Sequence, residues 1–196
     1  VWVVSLSDRY FIENYIGSMI VGEYSILAQV AGFSSILASI FTVYVQPIIF
    51  KTFSIDKKKA MEMYLEYLRK SLFIFVPSYV VFLFIPRESF TIIVSPEIIL
   101  NDEYFYLFHI LVLASIFISY VTILTNIFLL NNKIFTLSIF WLIASLLTLI
   151  GNTFIESYGI YAVALTKMFA YLFIILCMYY WIKNLMLKEY SNNSRK

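Results

Sequence analysis

Three charged residues lie well away from the ends of otherwise apolar stretches of the sequence: Asp8, Arg9 and Lys167. A charged side chain at the centre of a bilayer costs ~2.5–3.5 kcal/mol on insertion scales, so it needs a partner or a wet cavity. At 1.5 Å per residue, Arg9 lies ~10 Å from the end of its segment at Ile16, and Lys167 lies ~12 Å from the start of its own at Gly159. If both cations face one cavity, they form a patch suited to an anionic phosphate or pyrophosphate.

The same residues also allow structural interpretations. Arg9 and Glu13 are four residues apart, so they can form an ion pair on one helix face. Asp8 would then need another partner, and Lys167 is a candidate. A further alternative is that Asp8 or Glu13 titrates and couples transport to protons. We therefore predict Asp8, Arg9 and Lys167 as substrate-pathway residues, and Asp8 and Glu13 as candidate coupling carboxylates.

Asn126 is the strongest uncharged candidate, because it lies deep in an apolar segment. A polar side chain there either lines a substrate path or hydrogen-bonds to a neighbouring helix. We include Asn126 among the predicted substrate-pathway residues. Weaker candidates of the same kind are Gln29, Gln46, Thr122 and Thr125.

Sequence motifs for catalysis or cofactor binding are absent. The chain has no Walker loop, glycine-rich dinucleotide turn, zinc-ligand spacing or nucleophile elbow. Its single cysteine, Cys177, stands in an apolar run without Cys or His at metal-ligand spacing. We therefore predict no catalytic residue, no metal site and no cofactor, and the chain is not expected to be an enzyme. The net charge of +2 is too small to suggest a nucleic-acid partner.

Composition predicts that membrane helices carry the candidate residues. Hydrophobic residues make up 62% of the 196 positions and charged residues only 13%, whereas soluble domains average about half and about a quarter. The excess apolar surface cannot all be buried in a core of this size, so lipid is its natural solvent. The 19% of aromatic residues agrees, because Tyr and Trp favour the headgroup layer.

Six apolar segments are predicted to span the membrane as helices, since a span needs ~20 apolar residues and a helix satisfies its own backbone in lipid. They are residues 1–16, 20–46, 71–85, 104–130, 134–151 and 159–182. Residues 1–182 are thus predicted to form one all-α bundle. Its first helix is read as truncated, with residues missing upstream. Pro47 is expected to end the second span and Pro77 to kink the third.

The distribution of basic residues predicts the orientation, because positively charged loops stay cytoplasmic. The loops expected inside are 51–70, 131–133 and the tail 183–196. The loops poor in basic residues, expected outside, are 17–19, 86–103 and 152–158. The carboxyl terminus is therefore predicted to be cytoplasmic.

Residues 57–70 are predicted to form a separate amphipathic helix on the cytoplasmic interface. Charged residues lie off an apolar stripe made by Met61, Tyr64, Leu65, Leu68 and Leu72. Glu66 stands four residues before Lys70, at the spacing of a helical ion pair. We expect this helix mainly to support the span that follows it.

Three motifs cluster in the first two segments: Ser7-Asp8-Arg9-Tyr10-Phe11-Ile12, Tyr15-Ile16-Gly17 and Val21-Gly22-Glu23-Tyr24-Ser25. Together with Pro47 and the Tyr158-Gly159-Ile160 opening of the last span, they resemble the polysaccharide-unit flippases. These flippases share a superfamily with multidrug exporters of the MATE type and with lipid II flippases. Only residues 7–47 carry specific motifs, and Glu23 and Lys167 depart from the family pattern. Tyr24 is expected in the aromatic belt at the outer face.

The resemblance implies half of a twelve-helix MATE-like transporter in the bacterial inner membrane, with this chain as the C-terminal half. The implied activity is movement of undecaprenyl-pyrophosphate-linked oligosaccharide units from the inner to the outer leaflet for surface polysaccharide synthesis. The implied partners are this lipid-linked oligosaccharide, membrane lipid and the missing N-terminal half of the same protein. H⁺ and Na⁺ are both candidates for a coupling ion.

Other functions fit parts of the same evidence. A cation-coupled drug or metabolite exporter of the same fold would depend on a titrating carboxylate. A membrane-bound envelope glycan polymerase or ligase usually has a large outer catalytic loop, and the longest outer segment, 86–103, is small. A structural membrane subunit would not need inward-facing charges such as Arg9 and Lys167.

Overall fold

The computed structural model describes residues 2–193, and all regular structure within them is helical. Within these residues, nine α-helices and one short 3₁₀ helix, Arg87–Ile92, follow one another. The α-helices are α1 (Trp2–Tyr15), α2 (Ser18–Ala31), α3 (Ser34–Ile55), α4 (Lys57–Leu83), α5 (Pro96–Ile99), α6 (Asp102–Leu130), α7 (Ile134–Asn152), α8 (Ile155–Tyr158) and α9 (Ile160–Asn193).

Three of these helices are long and apolar enough to cross a membrane. They are the segments Asp102–Leu130, Ile134–Asn152 and Ile160–Leu185, which correspond to the last three predicted spans. The outer face of α7 has the character of a lipid-facing surface, since Ile143, Leu146 and Ile150 recur every three or four residues and are exposed. The all-α class is confirmed, and three helices have the properties of membrane spans.

The second predicted span is divided into two helices, and the prediction that it ends at Pro47 is wrong. Gly32, a poor helix former, directs its amide to the carbonyls of both Ala28 and Gln29. The Ser35 hydroxyl donates to the Gly32 carbonyl at 2.6 Å, which favours a local turn. Pro47 lies inside α3, which continues to Ile55.

Residues 57–70 are not a separate helix, because α4 runs unbroken from Lys57 to Leu83. No Gly or Pro stands between Lys57 and Pro77, and the helix continues through Pro77. Met61, Tyr64 and Leu68 of the predicted stripe are buried. Leu65 is partly buried, and Leu72 is 45% exposed. The buried residues pack in a core shared with α3 and α6, so protein covers most of the stripe.

Helix α6 is the centre of the bundle. It packs most extensively against α9 and also against α2, α3 and α4. Helix α1 packs against α2, α7 and α9. This arrangement brings the first and last long helices of the chain into direct contact, and the buried ionisable residues lie at that contact.

Candidate functional site

A buried ion pair joins α1 to α9. The Lys167 Nζ lies 2.7 Å from the Asp8 Oδ2, and the side chains are 14% and 2% exposed. The same ammonium donates to the Ser5 carbonyl at 2.9 Å. Because both charges are largely removed from water, each needs the other, and the pair fixes how the two helices meet.

Tyr24 of α2 completes the coordination of the Asp8 carboxylate. Its hydroxyl donates to Oδ2 at 2.7 Å, and the Arg9 amide donates to Oδ1 at 2.9 Å. Both carboxylate oxygens therefore accept hydrogen bonds. The expectation that Tyr24 belongs to the outer aromatic belt is wrong, because the residue is fully buried. Its hydroxyl instead satisfies a charge within the bundle.

The local sequence of α1 explains why Asp8 faces inward. Val4, Ser7, Asp8 and Ile12 are buried and recur at helical spacing, so they form one stripe. On that stripe, the Ser7 hydroxyl accepts a hydrogen bond from Asn152 Nδ2 at 3.2 Å. The result is a mixed stripe in which two polar residues are held between two aliphatic ones.

Helices α7 and α9 approach each other closely beside this cluster. A methyl group built on Gly151 would lie 2.4 Å from Thr166 Cγ2, so glycine is needed for the approach. Thr166 precedes Lys167, and Asn152 follows Gly151. The close approach therefore positions both the cation and the amide. The Asn152 Oδ1 is buried without a hydrogen-bond partner among residues 2–193.

Arg9 and Glu13 do not form the ion pair that their spacing allows. Within the described part of the chain, the Arg9 guanidinium has no ion-pair partner, and Glu13 is exposed. Arg9 is half-buried on the face next to that of Asp8. Of the alternatives for these charges, the Asp8–Lys167 pair is the one present. Lys167 therefore forms an ion pair with Asp8, while Arg9 forms no ion pair with an acidic side chain of residues 2–193.

Asn126 does not join this cluster. It is 9% exposed on α6 and lines a small cavity together with Gln46 of α3 and Tyr64 of α4. The cavity volume of about 10 Å³ has room for roughly one water molecule. The predicted substrate-pathway residues therefore divide into a charged cluster at α1 and α9 and an uncharged site at α3, α4 and α6.

Several residues of the charged cluster are not predicted from the sequence. Ser5 and Tyr171 contact each other through their hydroxyl oxygens at 3.2 Å, and Asn152 binds Ser7. The spacing of Ser5 and Asp8, about one helical turn, was the available signal, but hydroxyl residues are common in membrane helices. Within residues 2–193, no group of three or more His, Cys, Asp or Glu residues could hold a metal ion.

Comparison of the chain with protein-family models, curated proteins and solved structures finds no match. Asp8 and Lys167 neutralise each other, so the three residues Asp8, Arg9 and Lys167 together carry a net positive charge. A partly buried, positively charged cluster between apolar helices favours an anionic group over a cationic one.

Proposed function

We propose that this chain is the C-terminal half of a MATE-like flippase that moves undecaprenyl-pyrophosphate-linked oligosaccharide units from the inner to the outer leaflet. The observation that carries the proposal is the half-buried residue Arg9, which has no acid partner within residues 2–193 and follows Asp8, whose charge is already neutralised by Lys167. Arg offers planar, bidentate donors that match the oxygens of a pyrophosphate.

The proposed protein is a multi-pass protein of the bacterial inner membrane with its carboxyl terminus in the cytoplasm. It has six spans in this half, formed by α1, α2 with α3, the part of α4 within residues 71–85, α6, α7 and α9. The short helices between α4 and α6 then lie at the outer face, and Lys57 at the start of α4 lies inside. Three apolar helices and the lipid-like face of α7 support this membrane placement.

The same geometry weighs against a cation-coupled exporter. Such a transporter needs a carboxylate that can exchange its partner for a proton, a metal ion or a cationic substrate. Asp8 already accepts hydrogen bonds from Lys167, Tyr24 and the Arg9 amide. A cation reaching Asp8 would first have to displace the Lys167 ammonium. Glu13 is exposed, and a cation could reach it without displacing an ammonium group. Of the two candidate coupling carboxylates, Glu13 is therefore the more accessible.

The test is export of surface polysaccharide in cells whose only copy of the full-length protein carries Arg9→Ala. We expect export to fall about tenfold or more, because a lost charge-assisted hydrogen bond is worth ~1.5–3 kcal/mol. Lipid-linked oligosaccharide should accumulate on the cytoplasmic side. Arg9→Lys should retain part of the activity, since it keeps the charge but loses the bidentate geometry.

Arg69→Ala is the matched control, because Arg69 is exposed on the charged part of α4. It should export normally and reach the same level in the membrane. Full surface polysaccharide in cells with Arg9→Ala, at normal protein level, would remove the observation on which the proposed function rests.

A further inference from the structure

An open groove of about 700 Å³ runs between α6 and α7. Its volume lies within the range of small-molecule sites in proteins. Four hydroxyl side chains and one indole face it, and the rest of the lining is aliphatic. These five residues are Thr122, Thr125, Ser138, Trp141 and Ser145. No Asp, Glu, Lys or Arg contributes to its wall.

The groove exists because α6 and α7 pack mainly on α9 rather than on each other. The two helices are consecutive and are joined by the turn at 131–133, so neighbouring packing would be the simple expectation. Instead α9 contacts both and holds them apart. The groove therefore belongs to the packing of long helices and not to a loop.

Each of the four hydroxyls already donates a hydrogen bond within its own helix. The acceptors are the carbonyls four residues earlier, at 2.8 to 3.0 Å. What remains for a ligand is the acceptor capacity of each hydroxyl oxygen. A suitable ligand must therefore bring several hydrogen-bond donors. A phosphate brings acceptors only, and an ammonium group would find no carboxylate here.

Trp141 adds a flat apolar surface to this row of acceptors. Its ring packs edge to face against Tyr171 of α9, with centroids 6.4 Å apart, and this contact helps to fix the orientation of the indole. A sugar ring combines hydroxyl donors around its edge with apolar C–H faces, and this pattern matches hydroxyl acceptors around an indole. We propose that the α6/α7 groove binds the neutral sugar portion of a glycolipid.

This inference rests on the proposed function and assigns the two parts of the substrate to different places. The cationic cluster around Arg9 would contact the pyrophosphate, and the α6/α7 groove would contact the sugar. The groove lies toward the 131–133 turn, because Ser138 and Trp141 fall in the first two turns of α7. That end is the predicted cytoplasmic end, where an inner-leaflet substrate is loaded.

The fluorescence of Trp141, which lines the groove, reports binding in the test. Substituting Trp2→Phe and Trp181→Phe leaves Trp141 as the only tryptophan among residues 1–196. The purified protein in polyoxyethylene detergent is titrated with dodecyl maltoside, dodecyltrimethylammonium and dodecyl phosphate, which share one alkyl chain. We expect a saturable change in Trp141 fluorescence with the maltoside and a response at least about tenfold weaker with either charged amphiphile.

Two sets of variants locate the binding. Thr122→Val with Ser138→Ala should weaken the maltoside response about tenfold, because two acceptors are lost. Ser39→Ala with Ser78→Ala is the matched control, since both hydroxyls are exposed on other helices and donate to their own backbones. If the paired groove variant does not fold, Thr122→Val alone is used, because Thr122 is exposed. Equal responses to all three head groups, no maltoside response, or an unchanged response in the groove variants would overturn the inference.

The two proposals can fail separately. If Arg9→Ala abolishes export while the maltoside does not bind, the flippase proposal stands and the sugar groove is wrong. If the maltoside binds the groove while Arg9→Ala exports normally, the groove binds sugar but the proposed function has lost its support.

Discussion

Two ion pairs in this protein have the same length and opposite surroundings. Lys167 lies 2.7 Å from Asp8, and Lys70 lies 2.7 Å from Glu66. The first pair joins residues 159 apart in sequence on two helices, with side chains 14% and 2% exposed. The second joins residues four apart on α4, with side chains 61% and 52% exposed.

The comparison shows that distance alone does not set the importance of a charge pair. Water screens the Glu66–Lys70 pair and would solvate either charge if the other were removed. At Asp8 and Lys167, removing one partner leaves the other charge buried, and the resulting penalty is the main cost. The buried pair therefore constrains the packing of α1 on α9, while the exposed pair adds little to α4.

The largest expected effect comes from breaking the buried pair on one side only. Lys167→Met or Asp8→Asn should each lower the free energy of unfolding by ~3–5 kcal/mol, because one charge is left without compensation. The double variant should recover much of this loss, since no buried charge remains. Unfolding of the purified full chain in detergent micelles, followed by circular dichroism, measures all three values.

Lys70→Met is the matched control for Lys167→Met, because it removes the same ammonium from a pair of the same length. It should leave the unfolding transition nearly unchanged. Equal losses for Lys70→Met and Lys167→Met would break the comparison. A double variant as unstable as the sum of its parts would show that the two residues act independently.

Tyr24→Phe should have the next largest effect. It tests whether the buried Asp8–Lys167 pair depends on the additional hydrogen bond from Tyr24, which the exposed Glu66–Lys70 pair does not have. It removes the hydroxyl that donates to Asp8 and leaves the ring in place. Hydrogen bonds to charged groups contribute ~1.5–3 kcal/mol, so we expect a loss of that order in the same unfolding measurement. Tyr10→Phe, at a residue 66% exposed on the neighbouring helix, should change stability by less than about 0.5 kcal/mol. If the two variants behave alike, the ion pair does not depend on its third member.

Helical geometry explains what could be predicted about the charged cluster. The constant rise per residue is enough to predict that Lys167 lies at a depth similar to that of the neighbouring residues Asp8 and Arg9. The choice of partner was harder, because Asp8 and Arg9 are adjacent and point about 100° apart on a helix. Which of them faces α9 is decided by the buried stripe of α1, and the tertiary packing was needed to identify that stripe.

The position of the helix break and the grouping of hydroxyl residues in one groove are harder to predict from the sequence. Pro47 was expected to end a helix, but a proline removes one donor, and α3 continues past it while the break falls at Gly32. The sequence indicates Thr122 and Thr125 as candidates but does not single out Ser138, Trp141 or Ser145. Their common groove arises from the contact of α6 and α7 with α9, which no local pattern along either helix encodes.

The smallest expected effect concerns the pH dependence of the exposed pair. The hydrogen bond from Lys70, together with its positive charge, lowers the pKa of Glu66. A lowered carboxyl pKa stabilises the folded chain above the unfolded pKa of about 4.3, and this contribution is lost as the pH falls through the folded value. The difference in unfolding midpoint between wild type and Glu66→Gln should therefore be slight near neutral pH and should vanish in acid. A large difference that persists in acid would mean that Glu66 supports α4 through contacts other than its charge, and the contrast with the buried pair would then need another explanation.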